Sequence, residues 1–554
     1  MFVPELRPWR AARPHVVRVA GAVRPRLARA ADTVRPHLTR AAGAARPRVT
    51  RLARALSSQV TRVGQVSQSW RGSRAKNWQY TAGAATAGLA LAAGVVTAAG
   101  PWDSSGQRTA ERDWAVAHDR TGGADHGRTS GTSGSSGAVA EAPRPAPSAA
   151  SVLAGLGGAG GTVKPAPNGA ALARVLDPLL KDPALGSRRT AAVVDAATGK
   201  LLYGTGADVP LIPASTTKIA TAVAALTAMG PDHRLTTRAA LEPDTKEVVL
   251  VGGGDPTLTA RKEAGGWASL RALAAGTAAA LKKHGLREVT LSYDTTLYAG
   301  PEMHPIGVNG NLAKITALMA DEARTDDSTS GPAPRVPDPA ADAARKFGQF
   351  LKEHGISTTP PGPSKATGRA ETLAKVSSPP LSSLVERMLT NSDNDIAEHL
   401  ARQTAIATGK RADFTGAGSA IHAQLAKLGL PLKGARFKDG SGLDRADRLT
   451  ADLLTALLTK SAAPSHPALR AVLTGLPVAG FTGTLTSRYA DGAAGVVRAK
   501  TGTLTGVNTL AGTAVDQNGR LLAFTFLTSN TRNPGAAQSA LDKTATTLTT
   551  CTCR

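Results

Sequence analysis

The sequence predicts an α+β globular region whose middle stretch reads as a small α/β unit, preceded by a basic tail, a single membrane-spanning helix and a flexible tether. Three observations carry that expectation. Strand-like and helix-like hydrophobic periods both recur from about residue 170 to the end, strands and helices interleave in the middle of that region, and a long uncharged stretch separates it from a strongly basic N-terminus.

The elements follow in chain order. Residues 1–76 hold 17 Lys or Arg against only Glu5 and Asp32, so about +15 of the formal +25 lies there. Arg-Pro recurs every eleven residues at Arg13, Arg24, Arg35 and Arg46, with a further Arg at Arg18, Arg29, Arg40 and Arg51. Eleven residues make about three helical turns, but one proline per repeat interrupts a continuous helix. Two readings stay open: short helical turns lying on anionic lipid, or a solvated disordered tail; tethering to a membrane favours anionic lipid or an acidic cytoplasmic partner for its charge. Nucleic acid needs the same charge, yet a tail tethered to a membrane does not favour it, and none is expected.

Residues 77–102 read as a membrane anchor. Thr81–Gly100 is twenty residues without a charge, bracketed by Trp78, Tyr80 and Trp102. That length spans a hydrocarbon core of about 30 Å, and the Arg-rich side belongs in the cytoplasm. The chemistry then lies outside the membrane, on a single-pass protein with a cytoplasmic N-terminus. Val96-Thr97-Ala98 also fits a signal cleavage site, which would release a secreted form. Residues 103–169 are dominated by Gly, Ser, Ala, Thr and Pro and form a tether that cannot bury a core.

The globular part opens with RTAAVVDAATGKLLYGTGA, two alternating runs around Ala197-Thr198-Gly199 that predict a β-hairpin. IATAVAALTAMG has helical spacing and stops at Gly230, a C-cap. Ser215 therefore opens a helix that follows a strand, with Lys218 three residues on and on the same face. A neutral amine there can take the proton of an attacking hydroxyl, if burial and a second cation such as Lys500 lower its proton affinity. MLTNSDNDIAEHLARQ predicts a second helix closing near Gly409, with the Ser392 hydroxyl and Asn394 amide projecting at its start. VVRAKTGTLTGVNTLAGTAVDQNGRLLAFTFLTSN predicts adjacent strands turning near Gln517-Asn518-Gly519, with Lys500, Thr501 and Thr503 on the exposed side of the first.

Singly, each motif is weak. Ser-x-x-Lys recurs by chance at Ser73-Arg74-Ala75-Lys76. The order Ser215-Thr216-Thr217-Lys218, Ser392-Asp393-Asn394 and Lys500-Thr501-Gly502-Thr503, in helix, helix and strand contexts, is the signature of penicillin-binding proteins and class A β-lactamases. Gly252-Gly253-Gly254-Asp255-Pro256, SSPPLSSLVERML, Asp439-Gly440-Ser441-Gly442-Leu443 and Gly483-Thr484-Leu485 narrow it further. From about Ala170 onward the chain resembles the penicillin-binding protein 4 type of D-alanyl-D-alanine carboxypeptidase.

That resemblance implies a β-lactamase/transpeptidase-like domain over residues 170–232 and 377–554: an antiparallel sheet flanked by helices with a helical cluster beside it. Lys218 and Ser392 are 174 positions apart, which leaves ample room for the accessory domain that the resemblance implies at 233–376. It implies Ser215 as nucleophile, Lys218 as general base, Ser392 as proton relay, the Ser215 and Thr503 N–H groups as oxyanion hole, and Asn394 as holder of the substrate amide. Lys500, Thr501, Gly502 and Thr503 would bind the terminal carboxylate of a peptidoglycan stem peptide ending in D-Ala-D-Ala, or the matching group of a β-lactam. The activity expected is serine-type D-Ala-D-Ala carboxypeptidase, with DD-endopeptidase action at the same site left open. The insertion and the Gly-Gly-Gly-Asp-Pro stretch argue against a β-lactamase, and the complete triad argues against a non-catalytic sensor. No cofactor or metal is expected, since the histidines lack H-E-x-x-H spacing, and His399 and His422 read as packing or surface residues. Cys551 and Cys553 stay open between a local disulfide, an interchain one and free thiols.

Overall fold

The computed structural model describes residues 168–551, apart from 308, 490 and 491. The expected tail, membrane anchor and all but the end of the tether lie outside the described residues, among which no helix is long and apolar enough to cross a membrane.

Among the described residues the first helix, α1 (Gly169–Leu180), is followed by the expected hairpin β1 (Arg188–Asp195) and β2 (Leu201–Thr205). These pair with three strands from the far end of the chain, β9 (Val497–Leu504), β10 (Val507–Val515) and β11 (Leu521–Ser529), in the antiparallel order β2-β1-β11-β10-β9. Alternation along β11 explains why the sheet is covered twice. Leu522, Phe524 and Phe526 pack on one side with α1 and the last helix α10 (Pro534–Thr550), while Ala523 and Leu527 join the other side. That second side is the helical cluster: α2 (Thr217–Met229), α5 (Leu381–Asn391), α6 (Asn394–Ala407), α7 (Phe414–Lys427), α8 (Ala451–Ala462) and α9 (Arg470–Thr474).

Between α2 and α5 the chain builds a second sheet. It contains β3 (Thr236–Leu241), β4 (Glu247–Val251), β5 (Glu288–Asp294), β6 (Ser357–Thr358) and β8 (Glu371–Ser377) in the order β6-β5-β4-β3-β8, with β7 (Gly362–Pro363) also on β5. The β4–β5 and β5–β6 pairs are parallel, and helices α3 (Leu270–Lys283) and α4 (Pro339–Glu353) cover the sheet around Leu273, Phe347 and Leu351. The Gly-Gly-Gly-Asp-Pro stretch is where this unit meets α6. A Cβ on Gly253 would fall 1.9 Å from Thr236 O, and one on Gly254 2.2 Å from Gln403 Nε2. His399 Nδ1 and Gln403 Nε2 bond the carbonyls of Gly254 and Gly253 at 3.0 and 2.9 Å. His399 is thus a buried docking residue, whereas His422 is exposed.

Two sequence expectations need correction. Residues 388–391 do not open the second helix of the signature; they end α5, and Ser392 breaks the chain in a left-handed turn at φ 58° before α6 starts. The cap of α6 is Asp393, whose carboxylate accepts from Ile396 N at 3.0 Å. Nor does Lys500 line the exposed side of its strand. Pleating sends Thr501 and Thr503 outward and Lys500 and Gly502 inward, and Lys500 is fully buried. Cys551, at the end of α10, is disulfide-bonded rather than free.

Candidate active site

Ser215 sits in a 3-10 turn, Ala214–Thr216, that leads into the buried helix α2. Two glycines let neighbouring chain close on this turn. On Gly502 a Cβ would stand 2.8 Å from Pro213 O and 3.1 Å from Ala214 Cβ, and on Gly442 only 1.9 Å from Ala214 O. Ala214 itself is held at φ 48°, a conformation that costs a non-glycine residue energy and recurs where geometry is functional.

Lys218, fully buried, places Nζ 3.0 Å from Ser215 Oγ, 2.7 Å from Asn394 Oδ1 and 2.7 Å from Ser441 O. As an ammonium Nζ donates to all three, and a neutral amine also fits them. Its two N–H bonds go to the two short carbonyl acceptors, and its lone pair is left for the Ser215 hydroxyl proton. Burial draws the ammonium down to about 8, against the opposing pull of Asp439, Glu398, Asp393 and Asp395. Lys500 is drawn well below the usual lysine range by burial and by the nearby Lys218. Its Nζ donates to Ser392 Oγ at 2.8 Å and Thr501 O at 2.7 Å, which leaves the Ser392 proton free to turn toward the cleft.

The cleft, about 360 Å³, is lined by Ser215, Ser392, Asn394, Thr484, Thr501 and Thr503, with Asn311, Arg324 and Arg335 on the wall supplied by the inserted unit. Thr501 Oγ1 meets Thr484 Oγ1 at 3.0 Å. Strand β9 is the sheet edge, so alternate backbone groups along it face away from β10. All eight sequence-predicted residues therefore converge, with Lys500 behind the cleft surface.

The inserted unit holds the second motif in place through charge. Arg335 pairs with Asp395 at 2.9 Å, while Arg324 and Arg387 grip Glu322 at 2.8 and 2.7 Å. Asn394 Nδ2 donates to Asn311 O at 2.9 Å, and Ala313 N to Asp395 Oδ1 at 2.9 Å. Asp321, Glu322 and Ala323 all take left-handed backbone angles, pinned by Asp321 N to Leu258 O at 2.7 Å and Glu322 N to Pro256 O at 3.0 Å. Sequence reasoning passed over Asn311, Glu322, Arg335 and Glu398, because no local pattern marks a residue whose partner lies dozens of positions away. Thr484 and Ser441 stood inside motifs quoted for resemblance, with no role attached.

Two buried clusters, His304–Glu398–Asp439 and Glu322–Asp393–Asp395, have ligand atoms close enough for a metal. Their oxygens are engaged: the second set by three arginines, the first by His304 and backbone N–H groups.

Residues 172–331 and 310–548 match the model of the D-Ala-D-Ala carboxypeptidase 3 (S13) family. The chain belongs to that family. It is similar to the carboxypeptidase DacB of Mycolicibacterium smegmatis, with 37% identity over 70% of this chain and 86% of the relative. It is also similar to a carboxypeptidase of Mycobacterium tuberculosis, with 36% identity over 74% of this chain and 90% of the relative. Among solved structures, penicillin-binding protein 4 of Haemophilus influenzae shares the fold at 21% identity and a TM-score of 0.55, covering 68% of this chain and 98% of that one. This S13 protein is a serine-type D-Ala-D-Ala carboxypeptidase of the penicillin-binding protein 4 type.

Proposed function

We propose that Ser215 is the nucleophile of this carboxypeptidase and that Lys218, Ser392, Asn394, Lys500, Thr501 and Thr503 divide the remaining work. The carrying observation is the Lys218 amine 3.0 Å from Ser215 Oγ with its other two contacts filled by carbonyl oxygens. Ser215 Oγ attacks the carbonyl carbon of the penultimate D-alanine as its proton passes to Lys218 Nζ. The oxyanion is met by the Ser215 and Thr503 N–H groups. The C–N bond then breaks, and the leaving amine of the terminal D-alanine takes the Ser392 proton; the proton that Lys218 received is relayed through the Lys500 amine to Ser392 along the 2.8 Å bond, which leaves both lysines neutral again. Water attacks the resulting ester and gives one proton to the neutral Lys218 amine, which passes it to Ser215 Oγ as the C–O bond breaks and the shortened stem peptide leaves.

The Thr501 and Thr503 hydroxyls, with Thr484 beside them, receive the terminal carboxylate. Lys500, being buried, holds Ser392 Oγ and the Thr501 carbonyl from behind rather than touching the carboxylate. Thr501 and Thr503 would receive the equivalent carboxylate of a β-lactam; a complex of the Haemophilus influenzae protein with a β-lactam supports that extension. The uncharged stretch Thr81–Gly100 and the basic tail before it support a membrane-anchored protein whose site works on the wall side, the tail meeting anionic lipid or an acidic cytoplasmic partner. The test is release of D-alanine from a muramyl pentapeptide by the full-length protein, beside Ser215→Ala, with a cross-linked dimer as second substrate. Release from the pentapeptide that vanishes in the variant supports the scheme, and cleavage of the dimer adds endopeptidase action. Release that survives Ser215→Ala refutes it.

A further inference from the structure

We infer that Glu398 is a positioning residue for Lys218: it fixes the loop whose Ser441 carbonyl anchors the lysine amine, and its carboxylate sets the proton affinity of that amine from beneath the site. The inference rests on the reading of Lys218 as the base.

Glu398 lies one turn beyond Asn394 on α6, so the two share a helix face. Asn394 touches the Lys218 amine directly, whereas Glu398 reaches under it. Glu398 Oε1 accepts from Gly440 N at 3.1 Å and from Ser441 N at 2.9 Å, and Ser441 O accepts from Lys218 Nζ at 2.7 Å. The loop can approach because Gly440 has no side chain; a Cβ there would stand 2.6 Å from Ala397 O and 2.6 Å from Ala401 Cβ. Asp439 ties the loop's other end, accepting from Gly442 N at 2.6 Å and Asp444 N at 2.7 Å. His304 Nε2 meets Asp439 at 2.9 Å while its Nδ1 accepts from Ile306 N at 3.2 Å, so the ring is the Nε2–H tautomer donating to the carboxylate. Glu398 and Asp439 are each only 1% exposed.

A buried carboxyl group with two backbone donors and no paired cation in direct contact is costly to ionise, and the amine across Ser441 is, with Arg402, a source of compensation. Facing Lys218 are Asp393, Asp395 and Glu398 from α6, Asp439 from the loop and Lys500 from β9. Facing Glu398 are Asp439, His304, Arg402 and Asp447. Burial pushes the Glu398 carboxyl up to about 7 and draws the Lys218 amine down to about 8, and the Glu398 charge opposes that fall in the amine.

The test is the pH profile of Ser215 acylation by a fluorescent penicillin in full-length native protein and in Glu398→Gln, whose amide oxygen can keep both backbone bonds. Acylation should rise with pH as Lys218 loses its proton. In the variant the midpoint should fall by about one pH unit, the size expected when one nearby charge is removed, and the two profiles should converge in acid, where Glu398 is already neutral. A variant with a lower plateau and an unmoved midpoint would overturn the inference, since a purely structural role lowers rate without shifting titration. If Glu398→Gln folds poorly, carboxyl-labelled glutamate in native protein and Lys218→Met decides by NMR. Coupling requires a carboxyl midpoint near 7 that rises when the cation is removed; an unmoved midpoint overturns it. Absence of any penicilloyl ester in native protein would instead reject the assignment of Ser215 and Lys218, and the NMR comparison would still report on the charge coupling.

Discussion

Gly502→Ala offers a sharp probe of how the site is assembled, because it adds one methyl group and removes no chemistry. The new Cβ would lie 2.1 Å from Thr509 Oγ1, 2.8 Å from Pro213 O and 3.1 Å from Ala214 Cβ. Thr509 can rotate only by giving up its 2.8 Å bond to Pro213 O, a loss of about 1 kcal/mol. The Pro213 carbonyl cannot rotate away, so the turn carrying Ser215 must shift, at an overpacking cost of about 1–3 kcal/mol. Stability should fall by about 2–4 kcal/mol in all. A displacement on the order of 1 Å between Ser215 and the Thr501–Thr503 strand should slow acylation about 100-fold. The assay pairs thermal denaturation with the second-order rate of labelling by a fluorescent penicillin in the folded fraction. A variant that melts like the native protein and acylates within about 3-fold of it would refute the claim that this contact sets the nucleophile's position.

Other expectations follow from the same coordinates. Lys218→Met should cut acylation by about 100- to 10,000-fold by removing the base, measured by stopped-flow labelling; near-native rates would assign the base elsewhere. Arg335→Ala strands the buried Asp395 carboxylate, so it should cost about 3–5 kcal/mol in chemical denaturation, and a loss below about 1 kcal/mol would mean the pair does not brace the second motif. Thr484→Val removes the hydroxyl that meets Thr501 Oγ1 at 3.0 Å and should raise KM for the pentapeptide several-fold with kcat little changed, an effect of about 1 kcal/mol; a fall in kcat alone would place Thr484 in the chemistry. Burial pushes Asp255 up to about 6, and its Oδ2 has no partner while Oδ1 accepts from Thr257 N and Oγ1. The neutral form is favoured on folding, so its contribution is complete below the unfolded value near 4 and is lost as pH rises through about 6. Asp255→Asn should therefore gain stability relative to native protein between pH 4 and 7; a pH-independent difference would contradict it.

What the sequence disclosed, it disclosed through local periodicity. The hairpin around Thr198, the stop at Gly230 and the turn near Asn518 depend on neighbours in the chain, and the structure places β1–β2, α2 and β10–β11 there. The convergence of Ser215, Ser392 and Thr501 was legible only because their order is a known signature; nothing in spacing alone brings residues so far apart together. Lys500 was misplaced for a definite reason. A charged side chain in a strand reads as outward by default, and only the Ser392 hydroxyl and Thr501 carbonyl waiting behind it make its burial tolerable. Ser392 was misread because a Ser-Asp-Asn run looks like one helix cap, whereas here it is a break in which Ser392 ends one helix and Asp393 caps the next. The ionic clamp of Glu322, Arg324, Arg335 and Arg387 on the second motif was hidden altogether, as its members come from the inserted unit and from α5.

The central claim is that Ser215, activated by Lys218, forms a covalent ester. Its most direct test is mass spectrometry of the full-length protein after brief exposure to benzylpenicillin, followed by peptide mapping. The account predicts one penicilloyl adduct on the peptide containing Ser215, absent from Ser215→Ala and strongly reduced in Lys218→Met. An adduct that maps to another serine, or persists in Ser215→Ala, would contradict it.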